Sequence, residues 1–105
     1  GPAIVLVTHD GCHFSNDFQQ YLQTQPALAK VFAKHSIQIA PIGVRLNDNP
    51  AIYDVYQESQ WPEIHRWETP AWYFYLDGRL LGSMSGWPKE GQAAELTAQL
   101  QRIGL

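Results

Sequence analysis

The residues able to do chemistry crowd into one short stretch, His9–Ser15. Cys12 is the one cysteine among 105 residues. A cysteine attacks as its thiolate, and an ordinary thiol with a pKa of about 8.5 is only slightly ionised at neutral pH. Whatever surrounds Cys12 therefore decides whether it is a nucleophile or a small core residue. His13 can supply a positive charge or a hydrogen bond, and Asp10 opposes it weakly. Ser15, one helical turn on, can donate a hydrogen bond from Oγ to the Cys12 sulfur. A second chemistry is also open, because His9, Cys12 and His13 form an H-x-x-C-H cluster. Thiolate and imidazole together suit Cu(I) or zinc. No complete metal-ligand signature accompanies the cluster, and His35 and His65 are distant in sequence. A single cysteine rules out an intramolecular disulfide and a cysteine-only zinc site. No metal site is assigned, and no cofactor is required.

The elements around this stretch must hold it in place. Ala3–Thr8 is a continuous apolar, β-branched run, the pattern of a strand buried on both faces in a parallel sheet. His9-Asp10-Gly11 breaks it. From Cys12 the period changes: Phe14, Phe18, Tyr21 and Leu22 recur at helical spacing. Cys12 thus opens a helix, where unpaired N–H groups and the positive end of the dipole favour a thiolate. After Thr24-Gln25, Pro26 suits the first turn of a second helical piece reaching His35, with Leu28, Val31 and Phe32 inward. Ile37–Leu46 reads as a second strand, irregular at Pro41 and Gly43. Asn49 and Pro50 predict the cap and first turn of a further helix, with Ile52, Val55 and Tyr56 as its stripe. Gln57–Glu68 reads as a loop long enough to require a functional reason. Ala71–Leu76, Asp77-Gly78 and Arg79–Met84 form a strand, a two-residue turn and a strand. Gly86-Trp87-Pro88 breaks the chain, and Pro88–Ile103 reads as a last helix with Leu96, Leu100 and Ile103 inward. The order β-α-β-α-β-β-α predicts an α/β domain over residues 3–105. Its centre is a four-stranded mixed sheet flanked by helices on both faces.

Composition agrees with a packed domain. Hydrophobic residues make up 45% of the chain, with four Trp, five Tyr and four Phe. Seven Lys and Arg against ten Asp and Glu, a net charge of -3, supply no basic face for nucleic acid. No apolar run is long enough to span a membrane. No phosphate-cradling glycine loop or nucleophile elbow points to a kinase or hydrolase. Gly1-Pro2 reads as a protease-cleavage scar, so the absence of a leader in this sequence is weak evidence about compartment.

A strand, a cysteine at a helix start, and a later Thr-Pro ahead of a hairpin resemble the layout of the thioredoxin superfamily. The matching residues are the strand ending at Thr8, Cys12-His13-Phe14-Ser15 at the active motif and Asn49-Pro50 before the next helix. Further on they are Thr69-Pro70, the Asp77-Gly78 turn, and Gly86 with Lys89-Glu90-Gly91-Gln92 leading into the last helix. The departures are equally specific. Ser15 stands where the usual C-x-x-C motif has its second cysteine, Gly11 where thioredoxins have Trp, and Leu6 where a buried Asp is common. The stretch between Tyr56 and Pro70 is longer than in a typical thioredoxin.

The resemblance implies a thioredoxin-like fold and a thiol–disulfide oxidoreductase or isomerase. Cys12 would be the nucleophile, tuned by Ser15, His13 and Phe14. A cis Thr69–Pro70 bond would leave the Thr69 backbone free to pair with substrate. His13, Phe14, Thr69 and Pro70 are therefore the expected substrate-binding residues. Trp61, His65, Arg66 and Trp67, in the long loop just before Thr69, read either as ordinary loop and packing residues or, where exposed, as a partner-recognition surface. With Ser15 in place of a resolving thiol, the mixed disulfide on Cys12 must be released by a substrate thiol or by glutathione. The expected partners are a protein disulfide or glutathione mixed disulfide and a redox partner protein. The expected setting is the periplasm or another exported compartment. Two origins of Ser15 stand side by side: a native C-x-x-S motif, or a C-x-x-C motif whose second cysteine was replaced. Two other functions also stand: a copper-handling metallochaperone, and a non-catalytic module that uses Cys12 only to clamp a partner.

Overall fold

The computed structural model describes residues 1–9, 11–40, 54–55 and 69–105. The apolar opening run forms β1 (Pro2–Val7), which lies in the interior of the sheet. On one side it pairs in parallel with β2 (Ser36–Ala40), from Ile4 opposite Ser36 to Val7 opposite Ile39. On the other it pairs antiparallel with β4 (Ala71–Leu76), with Leu6 opposite Trp72 and Val7 opposite Ala71. β4 turns through Asp77-Gly78 into β5 (Arg79–Ser85). Both turn residues have positive φ, 51° and 81°, as a two-residue hairpin requires to follow the strand twist. The result is a mixed sheet in the order β2-β1-β4-β5.

That sheet has one addition. Asp54–Val55 forms a short strand, β3, paired in parallel with Ile39 and Ala40 of β2. The helix expected from Asn49-Pro50 is corrected at these two residues, where pairing to an open sheet edge overrides the helical stripe. The rest of that segment lies outside the described residues, as do Pro41, Gly43 and the whole Gln57–Glu68 loop with its Trp61, His65, Arg66 and Trp67.

The first helical stretch is split in two, α1 (His13–Gln23) and α2 (Pro26–His35), with Pro26 in the first turn of the second. The last helix, α3 (Gln92–Arg102), begins later than Pro88. The lead-in carries left-handed Gly86 and Gly91, φ 80° and 72°, a backbone course no helix can take. Gly91 becomes the N-cap and Trp87-Pro88 stays in the loop. Among the described residues, no helix is long and apolar enough to cross a membrane.

Alternate residues of each strand serve opposite faces. Ile4, Leu6, Trp72 and Phe74 meet Phe18 and Leu22 of α1, Phe32 of α2, and Leu96 and Leu100 of α3. The described helices thus share one face of the sheet. Val5, Val7, Ile39, Ala71, Tyr73 and Tyr75 form a second buried cluster on the other face. Along β5 the register shifts between Phe74 and Tyr75, so that Leu81 is the extra residue of a bulge. Arg102 of α3 donates to the Leu81 carbonyl at 2.7 Å. The end of the Gln99 side chain of α3 lies where a Cβ on Gly82 would be, so a side chain at that position would have to displace it.

Phe18 is the hub of the first core. It is fully buried, and its ring lies 4.7 Å from Trp72, 5.1 Å from Trp87 and 5.6 Å from Phe32, each edge to face. Edge-to-face packing puts the positive ring rim of one aromatic on the negative face of the next. Replacing Phe18 with Ala should cost about 3–5 kcal/mol in urea unfolding, from lost burial plus the cavity left behind. A loss under about 1 kcal/mol would mean that the neighbouring rings close the gap.

Candidate functional site

β1 ends at Val7, and the chain turns through His9–Cys12 into α1. Cys12 is the N-cap residue of α1, in an extended conformation with φ -95° and ψ 117°. Its side chain forms no capping bond to the helix. Antiparallel pairing of β1 with β4 brings the start of β4 beside this turn. The thiol of Cys12 donates from Sγ to the Thr69 carbonyl at 3.5 Å, across a separation of 57 residues. The Thr69–Pro70 peptide bond is cis, and Pro70 is buried.

Partial burial pushes the Cys12 thiol up, since a thiolate is poorly served away from water. Hydrogen bonds that the Thr69 side chain, the Ser15 backbone and hydroxyl, and the Phe14 backbone would offer the thiolate outweigh that effect. The net result is a pKa below the ordinary thiol value. Ser15 is itself almost wholly buried, 1% exposed, so its hydroxyl faces the motif rather than solvent. Its Oγ also accepts the His9 N–H at 3.4 Å.

Cys12, Ser15 and Thr69 thus converge. Phe14 is half exposed, at 51%, and its place in the apolar stripe of α1 is corrected: it points outward, while Phe18 and Leu22 carry the buried face. Phe14 and Thr69 line a groove of about 270 Å³ together with Gly86, Trp87, Pro88 and Lys89. His13 turns elsewhere. Its Nε2 lies 3.1 Å from Asp17 Oδ2, one turn down the helix, and its ring meets Phe14 edge-on. The groups that shift Cys12 are Thr69, Ser15 and Phe14.

The far wall of the groove comes from residues whose role the sequence alone does not reveal. The Gly86 N–H donates to the Pro70 carbonyl at 2.8 Å, which ties this wall to the Thr69–Pro70 segment. Gln92, the first residue of α3, is buried. Its Nε2 donates to the carbonyls of Ser85 and Gly86, and its Oε1 accepts the Lys89 N–H at 2.8 Å. One amide thereby braces both ends of the Gly86–Lys89 loop. The signal available in sequence was a bulky Trp held between Gly86 and Pro88, where a plain turn needs no aromatic. Among the described residues, no cluster of three or more His, Cys, Asp or Glu could hold a metal ion. His9 Nδ1 is already occupied, accepting the Gly11 N–H at 2.7 Å.

The element order, the mixed sheet and the placement of the cysteine turn beside a cis X–Pro segment define a thioredoxin-like fold. The chain is similar in structure to the germline-specific thioredoxin Deadhead of Drosophila melanogaster, with a TM-score of 0.56 and 15% identity. The match covers 94% of this chain and 80% of that one. No protein-family model matches the sequence, and a search of curated proteins finds no match.

The lowered thiol sets a pH dependence. In the folded chain Cys12 ionises at lower pH than in the unfolded chain. Its contribution to stability is therefore fully present above the unfolded value and is lost as pH falls through the folded one. Ser15→Ala removes one donor to the thiolate, so the ionisation midpoint should rise. Thiolate ultraviolet absorbance against pH, with Cys12→Ala as the blank, measures it. An unchanged midpoint would mean that Ser15 Oγ does not reach the sulfur in solution.

Proposed function

We propose that this chain catalyses thiol–disulfide exchange, with Cys12 as the nucleophile and protein disulfides or glutathione mixed disulfides as substrates. The observation that carries the reading is the convergence on Cys12 Sγ of the α1 N-terminus, Ser15 and Thr69, with the thiol held below its ordinary pKa. A more ionised thiol attacks faster at neutral pH, up to the point where lost nucleophilicity offsets the gain.

The Cys12 thiolate attacks one sulfur of the substrate disulfide. The substrate S–S bond breaks, a bond from Cys12 to that sulfur forms, and the other sulfur leaves with the electron pair as a thiolate. Ser15 and the N–H groups of Phe14 and Ser15 hold the charge on Cys12 before attack. Ser15 has no thiol to complete an internal disulfide, so a second thiol must cleave the mixed disulfide. When that thiol belongs to the same substrate, the outcome is isomerisation with no net redox change. When it is glutathione attacking a Cys12–glutathione bond, the products are oxidised glutathione and the restored Cys12 thiolate.

Thr69 and Pro70 lie where a substrate chain would run beside the sulfur. The groove lined by Phe14, Trp87 and Pro88 would take the side chain next to the substrate cysteine, with Lys89 at its rim. His13 beside Phe14 would meet the substrate at the exposed end of the motif. An oxidising, exported setting such as the periplasm belongs to this reading, because there disulfide substrates persist.

The test is turnover of scrambled disulfide protein and of a glutathionylated peptide. Wild-type protein should accelerate one or both, and Cys12→Ala should reduce the rate to background. Ser15→Cys should add net dithiol reduction, which the Ser15 form performs poorly. Equal rates for wild type and Cys12→Ala would defeat the proposal and favour a non-catalytic clamp.

A further inference from the structure

We infer that His9 is a positioning residue for Cys12, acting through its Nδ1 as the acceptor that shapes the turn into α1. The inference rests on the reading of Cys12 as the nucleophile. Three groups of His9 bind the motif. Its carbonyl accepts the Cys12 N–H at 2.9 Å, its N–H donates to Ser15 Oγ at 3.4 Å, and its Nδ1 accepts the Gly11 N–H at 2.7 Å. The first of these is an ordinary turn bond that any residue could make. The third needs a side-chain acceptor two bonds beyond Cβ, the reach with which Asn or Asp grips the N–H two residues on. His9 therefore does the work of an Asx turn with an imidazole. The acceptor role requires Nδ1 to carry no proton, which places the neutral ring's proton on Nε2.

Gly11 supplies an independent sign of the same arrangement. A Cβ on Gly11 would lie 2.7 Å from His9 Cε1 and 3.2 Å from Nδ1, closer than real contacts allow. The ring occupies the space that a side chain at position 11 would need. Gly11 and His9 are thus a matched pair: glycine lets the imidazole lie over the turn, and the imidazole fixes the glycine that precedes the nucleophile. Cys12 follows directly, as the N-cap of α1. Its Sγ must reach Thr69 on another strand, so the course of the chain at Gly11 sets where the sulfur stands. Without the Nδ1 acceptor, Gly11 relaxes into its wide conformational range and the sulfur is less well held against Thr69 and Ser15.

The experiment compares His9→Ala, His9→Asn, Gly11→Ala and the double variant His9→Ala/Gly11→Ala, each checked for native circular dichroism. The readouts are the rate of Cys12 alkylation by iodoacetamide at neutral pH and turnover of the glutathionylated peptide. His9→Ala should slow alkylation about fivefold, the effect expected from losing one organising hydrogen bond. His9→Asn, which keeps an acceptor at the same reach, should return the rate to within about twofold of wild type. Gly11→Ala alone should match His9→Ala, because it evicts the ring, and should add little in the double variant, because no ring remains to evict. Alkylation of His9→Ala at the wild-type rate would overturn the inference. So would an Asn variant as slow as the Ala variant, or a Gly11→Ala cost that is equal in both backgrounds. If wild type alkylates normally but turns over no disulfide while His9→Ala still slows alkylation, the positioning role stands and the catalytic reading falls.

Discussion

The antiparallel register of β1 on β4 is the constraint on which the site depends. Val7 opposite Ala71 and Leu6 opposite Trp72 fix where each strand ends, and so what faces what just beyond those ends. The chain leaves β1 into the His9–Cys12 turn, while the Thr69–Pro70 segment leads into β4. A slip of one residue would turn Leu6 and Trp72 from the helix-covered face to the other and carry Thr69 past the sulfur. The buried faces on both sides of β1 make such a slip costly, since both faces of that strand carry apolar side chains. The contact of Cys12 Sγ with the Thr69 carbonyl is therefore a by-product of sheet packing. The turn that carries Cys12 does not have to create it.

The aromatic cluster around Phe18 couples that sheet to the rest of the site. Phe18 sits on the helix that Cys12 opens, Trp72 on the strand that Thr69 precedes, and Trp87 in the loop that walls the groove. One set of ring contacts thus holds three separate segments of chain at fixed distances. Gln92 completes the frame from α3 by bracing the loop that bears Trp87, and Gly86 binds the same loop to Pro70. Phe18, Trp72 and Gln92, which do not line the groove, thus fix the shape of its wall from behind.

Much of this was legible in the residues. The β-branched opening run, the switch to helical spacing after Gly11, the Pro26 restart and the Asp77-Gly78 turn are local signals, and each was strong enough to place its element. Cys12 and Ser15 could be singled out because thiol chemistry at a helix start constrains its neighbours narrowly, while Thr69 was reached only through the resemblance to the thioredoxin superfamily. The misses share a cause, which is that tertiary contacts chose between local options. Val55 fits a helical stripe and a strand equally well, and pairing with β2 decided it. Phe14 fits the spacing of the buried face, but the turn geometry at Cys12 points it outward. His9 was visible only as a candidate metal ligand, because a hydrogen bond from its ring to the backbone two residues on leaves no mark in residue spacing.

The bulge of β5 carries a consequence for how these molecules behave together. β5 lies at the edge of the sheet, where an unpaired ladder would otherwise invite a neighbour's strand. At Leu81 the register breaks, the freed carbonyl is taken by a guanidinium of the same chain, and Gln99 fills the space over Gly82. A second chain meets there a kinked ribbon with one acceptor already spent and a charged side chain across it. The last helix itself thus blunts this strand edge against pairing with the edge of another copy.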